Sequence, residues 1–244
     1  MKISVITVAY NSEKGIGKTI ESVLRQSWRD VEYLIIDGKS SDRTVEIAES
    51  YRNALEERGI LYQIVSEPDN GIYDAMNKGI RMASGDVIGL LNSEDTYEPC
   101  ALQTVAETFA RTDCELMFAN IRIHKPDGGS FVKKARLRKF QTSRDWNHPT
   151  TFVRADVYKA NPFRNLGIHD DYGFFLQMRR QNRRIVTVDK VLADFRMGGA
   201  SNRKSWKAAW KRIRDRYQYC YRINGYGRWY LVECVVIEAA KMIL

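Results

Sequence analysis

The chain alternates short apolar runs with segments of helical periodicity, and this alternation constrains its fold more than any other feature. Strand-like runs are followed by apolar residues at helical spacing, as in Ile16, Ile20, Val23 and Leu24. Strands that alternate with helices are typical of a parallel sheet. We therefore predict an α/β fold with a mostly parallel central sheet and flanking helices, whose first strands are ISVITVAY, VEYLIID, LYQIVS and DVIGLLN.

Further elements follow the same rules. A helix over Ala48, Tyr51 and Leu55 is expected to end at Gly59, and another is expected to begin at Pro99. The runs ELMFANIRIH and SFVKKA flank the turn signal PDGG, which predicts a β-hairpin.

Length and composition predict one catalytic domain, residues 1–200, and a C-terminal helical appendage, residues 201–244. The four cysteines have no CxxC spacing and no adjacent histidine cluster, so neither a zinc site nor a disulfide framework is indicated. The sequence has no signal-peptide pattern and no uncharged run of about 20 residues, the length that spans a bilayer. We expect a cytoplasmic protein.

The segment AYNSEKGIGKTI raises the possibility of a phosphate-binding loop. A P-loop requires glycine where this chain has Ser12, and the dinucleotide fingerprint requires glycine where it has Ile20. Both assignments are therefore weak, and Lys18 and Thr19 are expected to be incidental residues of a first helix.

Polar residues follow three of the predicted strands. They are Tyr10-Asn11, the run Asp37 to Thr44, and Asn92-Ser93-Glu94-Asp95. Ligands of open parallel sheets bind beyond the carboxyl ends of the strands. Two acidic clusters at that edge favour a hard cation. Asp42 alone is better interpreted as a helix N-cap, whereas Glu94-Asp95 alone are equally consistent with a ligand site and with a solvated turn.

The order and spacing of these segments resemble the family-2 glycosyltransferases, inverting enzymes with the GT-A nucleotide-sugar fold. The resemblance extends from residue 3 to about residue 201. It rests on the motifs SVITVAYN, DGKSSDRT, GIYDAMNKGIRMASGD, LNSED, HPTTFVRADVY, HDDYGFFLQMRR and DFRMGGAS.

The resemblance implies a site for a nucleotide-sugar donor, with uracil as the expected base. Residues that match donor-binding positions are Thr7, Tyr10, Asp37, Gly71, Asp74, Asn92 and Glu94. The family's metal-binding DxD motif falls on Ser93-Glu94-Asp95, which implies Mg²⁺ or Mn²⁺ bound at Asp95. The first aspartate of that motif is absent from this chain.

The same resemblance assigns the reaction groups. Asp171 matches the catalytic base, and Asp170 is the neighbour next to it. The acceptor-binding positions are Asp170, His148 and Arg154, and the diphosphate-binding positions are Arg196 and Ser201.

The charge is concentrated near the C-terminus, because residues 196–228 hold ten Lys or Arg and one acidic residue. This segment accounts for the net charge of +9. A stripe of Trp206, Trp210, Ile213 and Tyr217 predicts a basic amphipathic helix, and the last residues predict a second helix with a wide apolar face. Both helices either pack on the catalytic domain or lie on an anionic inner leaflet.

A membrane location suits a sugar acceptor carried on a polyprenyl diphosphate, as in bacterial surface-polysaccharide assembly. Two other classes stay open at this point. A nucleotidyltransferase shares the nucleotide-binding sheet but is expected to have a Gly-rich basic loop after the first strand. A nucleic-acid-binding protein explains the basic segment, but the sequence contains no recognised nucleic-acid module, so no nucleic-acid partner is expected.

Overall fold

The computed structural model describes residues 1–196 and 206–243. They form two compact units. The first unit comprises Met1–Pro162 and Arg184–Arg196; the second comprises Phe163–Arg183 and residues 206–243. The predicted domain boundary at residue 200 remains a prediction.

The first unit is built on one mixed sheet. Within the described residues its nine strands are β1 (Ile3–Ala9), β2 (Val31–Asp37), β3 (Leu61–Ser66), β4 (Val87–Leu90), β5 (Thr96–Tyr97), β6 (Leu116–His124), β7 (Ser130–Lys133), β8 (Phe152–Arg154) and β9 (Ile185–Arg196). In spatial order, the first four strands of the sheet are β3, β2, β1 and β4, and they are parallel to one another. The sheet continues with β8, β6, β9 and β5, which form antiparallel and parallel pairs.

The predicted parallel core is confirmed. Every residue of β1, β2 and β4 is buried, as expected for strands with helices on both faces. The predicted hairpin is also confirmed, because β7 pairs antiparallel with β6 and Gly128 turns between them with φ +87°. The short strand β5 and the long strand β9 were not predicted.

Helices cover the sheet of the first unit. In this unit the described helices are α1 (Ile16–Leu24), α2 (Thr44–Ser50), α3 (Arg52–Glu57), α4 (Ile72–Met82), α5 (Ala101–Thr112) and α6 (Ala155–Ala160). Ile16, Ile20 and Val23 of α1 are fully buried, in agreement with the predicted apolar stripe. Gly59 follows α3 with φ +78° and ends the helical segment, as predicted, whereas α5 begins at Ala101 rather than at Pro99.

The second unit is helical in its described part. It contains α7 (Asp170–Arg180), α8 (Trp206–Asp215), a π-helical segment (Arg216–Tyr221) and α9 (Tyr230–Ile243). Within residues 1–196 and 206–243, no helix has both the length and the hydropathy needed to cross a membrane.

The residues of the predicted apolar stripe on α8 differ in burial. Ile213 is buried, whereas Trp206 and Trp210 are exposed, so the two tryptophans are not packed against the described residues. Arg212 and Arg216 are buried as well, because Glu238 of α9 compensates their charge.

Candidate active site

The loops after β1 and β2 are joined by hydrogen bonds, because the carboxyl ends of these adjacent parallel strands lie at one edge of the sheet. The Asn11 N–H donates to Ser40 Oγ (2.8 Å), and Asn11 Oδ1 accepts from the Ser41 N–H (2.9 Å). Asn11 is left-handed, with φ +49°, which its short polar side chain tolerates. The two loops therefore form one scaffold.

Asp37 ends β2 and is fully buried. Its carboxylate accepts hydrogen bonds from the Ser40 N–H (2.9 Å), from the Ser40 hydroxyl and from Ser66 Oγ (2.6 Å). Thr7 is also fully buried, and its hydroxyl pairs with Tyr33 (3.0 Å). The side chains of Asp37 and Thr7, both predicted to bind the donor, are thus hydrogen-bonded to other protein groups.

Tyr10 is the accessible member of this set, with 66% of its surface exposed. It lies beside Gly38, where an added Cβ would be 3.4 Å from Tyr10 Cδ2 and 2.5 Å from Asp69 Oδ2. A side chain at residue 38 would displace the carboxylate of Asp69. The glycine of DGKSSDRT thus leaves room for an aromatic ring and a carboxylate beside the backbone, a contact that was not predicted from the sequence.

The α4 start carries the next predicted donor residues. Gly71 precedes the helix with φ +109°, and its N–H donates to Asp69 Oδ1 (2.8 Å). Asp74 Oδ2 accepts from the Asn70 N–H (2.9 Å). The two aspartates thus stabilise the turn before α4 through hydrogen bonds to its backbone. The positive φ of Gly71 strongly disfavours a residue with a side chain at this position.

Asp95 lies between β4 and β5 and is 2% exposed. It accepts a backbone hydrogen bond from Arg196, but its Oδ2 atom is buried without a hydrogen-bond partner. Oδ1 of Asn92, three residues earlier, is also buried and unsatisfied. Buried polar atoms are rarely left unpaired, so two unsatisfied oxygens in one loop indicate a site for a cation or a polar ligand.

Burial raises the pKa of the Asp95 carboxyl to about 8; the Arg196 N–H opposes this shift, and the charge of Glu94 adds to it. A bound cation would favour the ionised form. Among the described residues, no group of three or more His, Cys, Asp or Glu side chains is arranged to hold a metal. An ion at Asp95 therefore needs oxygen ligands from substrate and water, which Mg²⁺ ordinarily uses.

The start of α1 supports this loop. An added Cβ at Gly15 would lie 2.7 Å from Ser93 O and 2.8 Å from Glu94 Cγ, so glycine lets the helix approach the acidic segment. Thr19 is fully buried and donates to Asp95 O (2.8 Å). The expectation that Thr19 is incidental was wrong, because its hydroxyl fixes the backbone of the predicted metal ligand.

The predicted acceptor residues in the first unit lie at opposite ends of β8. His148 is in a 3₁₀ turn before β8. Because β8 is antiparallel to β4, its first residue, Phe152, pairs with Gly89 near the carboxyl end of β4, and His148 precedes this end. Arg154 pairs with Val87 at the amino end of β4, and its guanidinium binds Cys114 O (3.0 Å) and Asp113 Oδ1 (2.9 Å). The structure gives Arg154 a structural contact and does not place it at the carboxyl edge.

The remaining predicted residues divide between the described and undescribed parts of the chain. Arg196 ends β9 with an exposed side chain, and its backbone reaches Asp95. Ser201 lies outside the described residues. In the second unit, Asp170 and Asp171 begin α7.

These two adjacent aspartates differ in environment. Asp170 is 6% exposed, and its Oδ2 accepts from the Leu166 N–H (2.9 Å). Burial raises the pKa of Asp170, and the neighbouring Asp171 charge adds to the shift. Asp171 is half-buried. Asp170 is thus tied to the preceding loop, and Asp171 is the more accessible carboxylate.

Known proteins match the chain at three levels. The sequence profile of glycosyl transferase family 2 matches residues 4–184. A putative teichuronic acid biosynthesis glycosyltransferase, TuaG of Bacillus subtilis, is 26% identical over 86% of this chain and 84% of its own. An uncharacterized glycosyltransferase of Mycobacterium tuberculosis is 42% identical over 39% of this chain, and the match spans about a third (34%) of that relative's length.

Solved structures share the fold. The fragment 1–349 of S. aureus TarS in complex with UDP superposes with a TM-score of 0.65 at 20% identity, covering 98% of this chain and 71% of that fragment. A Pyrobaculum calidifontis mannosyltransferase in complex with GDP-Man and Mn²⁺ gives a TM-score of 0.67 at 15% identity, covering 100% of this chain and 70% of that chain. The family match extends over most of the sequence. The chain belongs to glycosyltransferase family 2 and has the GT-A fold.

Proposed function

We propose that the chain is a metal-dependent, inverting glycosyltransferase that moves a sugar from a nucleoside diphosphate to a sugar hydroxyl. The observation that carries this proposal is the buried Asp95 carboxylate, whose Oδ2 has no hydrogen-bond partner in the described structure. It follows β4, at the sheet edge where ligands of such folds bind. Solved proteins of the same fold were captured with UDP, UDP-GlcNAc or GDP-Man.

We assign the metal to Asp95. Its Oδ2, with Asn92 Oδ1 in the same loop, supplies the oxygen chemistry that Mg²⁺ and Mn²⁺ prefer. When bound, the ion stabilises negative charge on the departing diphosphate. Thr19 and Gly15 hold the loop in place, and the exposed Glu94 adds negative charge beside it.

We assign the donor's base and ribose to the β1 and β2 loops. The exposed ring of Tyr10 offers an apolar face for a nucleobase, and the adjacent Asp69 and Asp37 offer acceptors for N–H and hydroxyl groups. Asp37 also holds Ser40 and Ser66, so it would act together with them. Thr7, Gly71 and Asp74 shape this pocket, and Arg196 and Ser201 are assigned to the diphosphate.

We assign the general base to Asp171. Its carboxylate is half-buried at the start of α7 and can take the proton of an attacking hydroxyl. A single displacement assisted from the acceptor side inverts the anomeric carbon. Asp170 and His148 are assigned to acceptor binding, whereas the contacts of Arg154 do not support that role.

We further propose a lipid-linked acceptor in surface-polysaccharide assembly, with the protein peripheral at the inner face of the membrane. The relative from B. subtilis is named for teichuronic acid biosynthesis, and it spans most of this chain. The basic C-terminal segment favours an anionic surface.

A panel of nucleotide sugars tests the reaction class. The protein is incubated with each donor and with polyprenyl-diphosphate-linked sugars, in Mn²⁺ or in excess EDTA, and the released products are quantified. We expect release of nucleoside diphosphate that EDTA abolishes. Release of pyrophosphate would instead identify a nucleotidyltransferase, and full turnover in EDTA would refute the metal assignment.

A further inference from the structure

The C-terminal helices bury a cluster of charged side chains beside apolar ones. Glu238 of α9 is 1% exposed, and it pairs with the buried Arg212 (Nε to Oε2, 2.7 Å) and Arg216 (Nη2 to Oε1, 3.4 Å). Charged residues are seldom buried unless they are paired in this way. Ile213 of α8 and Ile237 of α9 are buried as well, so the buried face combines an ion cluster with apolar packing.

The outer face of α9 is apolar. Trp229 is 86% exposed, and Val232 and Val236 are each 55% exposed. Their spacing of three and four residues places them on one side of the helix axis. The spacing of Leu231 and Val235 continues this face, and both side chains are exposed. A row of exposed aliphatic residues along a helix marks an interaction surface rather than scattered surface chemistry.

An open groove lies beside this row. It has a volume of about 790 Å³ and is lined by Trp210, Ile213, Tyr217 and Leu231, with Ala208 and the cations Lys211 and Arg214. Its size is within the range of small-molecule pockets, about 300–1,000 Å³. Apolar walls beside cationic side chains fit a molecule with a hydrocarbon chain and an anionic head.

The exposed charges around this surface have one sign. Lys211, Arg214, Arg222 and Arg228 are exposed, whereas Glu238 is buried. The other two acidic residues of 206–240 contribute little to the exposed surface. The side chain of Asp215 is only 17% exposed, and Glu233 is half-buried and accepts a hydrogen bond from Tyr221 Oη (2.8 Å). The exposed charges are therefore mainly cationic, and they accompany an exposed apolar row.

We infer that this face of α8 and α9 docks on an anionic phospholipid bilayer. In this arrangement Trp229, Val232 and Val236 enter the interface, the groove takes an acyl chain, and the exposed cations contact phosphate headgroups. A nucleic acid would satisfy the cations and leave the valines in water, so the apolar row favours lipid. The inference specifies the surface of the proposed peripheral location and rests on that part of the proposed function.

The test is sedimentation of the full chain with vesicles of phosphatidylcholine alone or with 30% phosphatidylglycerol, at low and at high salt. We expect binding to the anionic vesicles that weakens with salt, together with a blue shift of tryptophan emission as exposed rings leave water. Each Lys or Arg near an anionic surface contributes about fivefold to partitioning, so Lys211→Gln with Arg214→Gln should weaken binding about 10-fold or more.

Two further variants separate lipid insertion from general charge attraction. Val232→Ser with Val236→Ser keeps every charge and changes only exposed side chains, so it should fold normally and lose both the blue shift and most of the binding. Arg29→Gln with Lys139→Gln removes two exposed cations of the first unit and should bind nearly as wild type does.

Three results would overturn the inference. The first is wild-type protein that ignores anionic vesicles at low salt, and the second is an equal loss of binding in the first-unit control. The third is a concentration-dependent dimer that the valine variant dissociates, which would assign this face to a second copy of the chain. Metal-dependent release of nucleoside diphosphate that persists in any of these cases would leave the transfer chemistry intact.

Discussion

Asp95 is the carboxylate of the first unit to which we assign the metal. In the segment that resembles the family's metal motif, Ser93 takes the place of the first aspartate, and its hydroxyl pairs with that of Ser12 at 2.7 Å. Asp95 therefore has to supply the buried oxygen alone or with Asn92. A single protein carboxylate is sufficient for Mg²⁺ or Mn²⁺ only when phosphate oxygens complete the coordination.

Replacing Asp95 tests this dependence. Asp95→Asn keeps the shape and removes the charge, so turnover should fall by about 10² or more, the scale of a lost electrostatic contact in the transition state. In thermal unfolding with nucleoside diphosphate, Mn²⁺ should raise the Tm of wild type and leave that of the variant almost unchanged. Asp127→Asn, which makes the same change at an exposed aspartate of the turn between β6 and β7, is the matched control and should keep the metal response. A normal Mn²⁺ shift in Asp95→Asn would contradict the assignment.

Glu32 shows what a buried carboxylate does when its partners are protein groups. It is 4% exposed and accepts hydrogen bonds from Ser4 Oγ, the Ser84 N–H (2.8 Å) and Ser84 Oγ (2.7 Å). Burial alone would raise its pKa, but these hydrogen bonds outweigh burial and hold the pKa of Glu32 below its ordinary value. Unlike Asp95, Glu32 is satisfied and ties β2 to β1 and to the turn before β4.

A lowered carboxyl pKa stabilises the fold above the ordinary value near 4.5, and this contribution is lost as the pH falls through the folded-state pKa. Glu32→Gln should therefore lower the free energy of unfolding by about 1–2 kcal/mol at pH 7. The difference from wild type should shrink as the pH falls below that ordinary value. Urea unfolding at several pH values measures both quantities, and a difference that grows toward low pH would show that the ionised form is not the stabilising one.

At the scale of elements, the strands and helices could be predicted where one physical signal dominates. The strands β1 and β2 are buried on both faces, so their sequences ISVITVA and VEYLIID are mostly apolar and can be identified as strands. The strand β5 has two residues, and β9 has many exposed and half-buried ones, so neither carries a periodic signal. Thr19 and Gly38 were missed because their roles depend on segments distant in sequence.

The burial of residues in α9 differs from the burial that its sequence pattern predicts. Its sequence predicts a polar side with Glu233, Glu238 and Lys241 and a wide apolar face. Ordinary amphipathic reasoning places the polar side in water. In the structure Glu238 is buried, because Arg212 and Arg216 of the preceding helical segments compensate its charge. A pairing between helices is not visible in the periodicity of either helix.

Removing one partner of this ion cluster should be costly. Glu238→Ala would leave Arg212 and Arg216 buried without their counter-ion, and Arg216 already has Nε and Nη1 unsatisfied. We expect a loss of about 3–5 kcal/mol, concentrated in the second unit. Hydrogen exchange should show faster exchange of amides in α8 and α9, with the strands of the first unit unchanged.

The control for this change is Glu57→Ala, which removes an exposed acid of α3 and should alter stability by less than about 0.5 kcal/mol. Glu238→Gln, which can still accept hydrogen bonds, should give an intermediate loss. A Glu238→Ala protein as stable as the Glu57→Ala control would show that the buried cluster contributes nothing to the second unit.

At the scale of the whole molecule, the chain has a unit built on the sheet and a helical unit that carries the proposed base. The sequence profile of the family matches residues 4–184, which include the strands β1 to β8 and the helix α7, while β9, α8 and α9 lie beyond it. Motif order identified the family because DGKSSDRT, LNSED and HDDYGFFLQM combine in one chain. The sugar, the acceptor and the linkage have no comparable signal, since they depend on pocket shape rather than on residue type.

We propose that Asp171 removes the proton of the acceptor hydroxyl, and a comparison of its asparagine variant with that of Asp170 tests this role most directly. The kcat of Asp171→Asn and of Asp170→Asn is measured with the donor and acceptor found active, alongside calorimetric affinity for the nucleoside diphosphate. Asp171→Asn should lower kcat by about 10² or more with nucleotide affinity near wild type, because basicity is lost and donor contacts remain. Asp170→Asn should have the smaller effect on kcat. An Asp171→Asn protein with wild-type kcat would contradict the account.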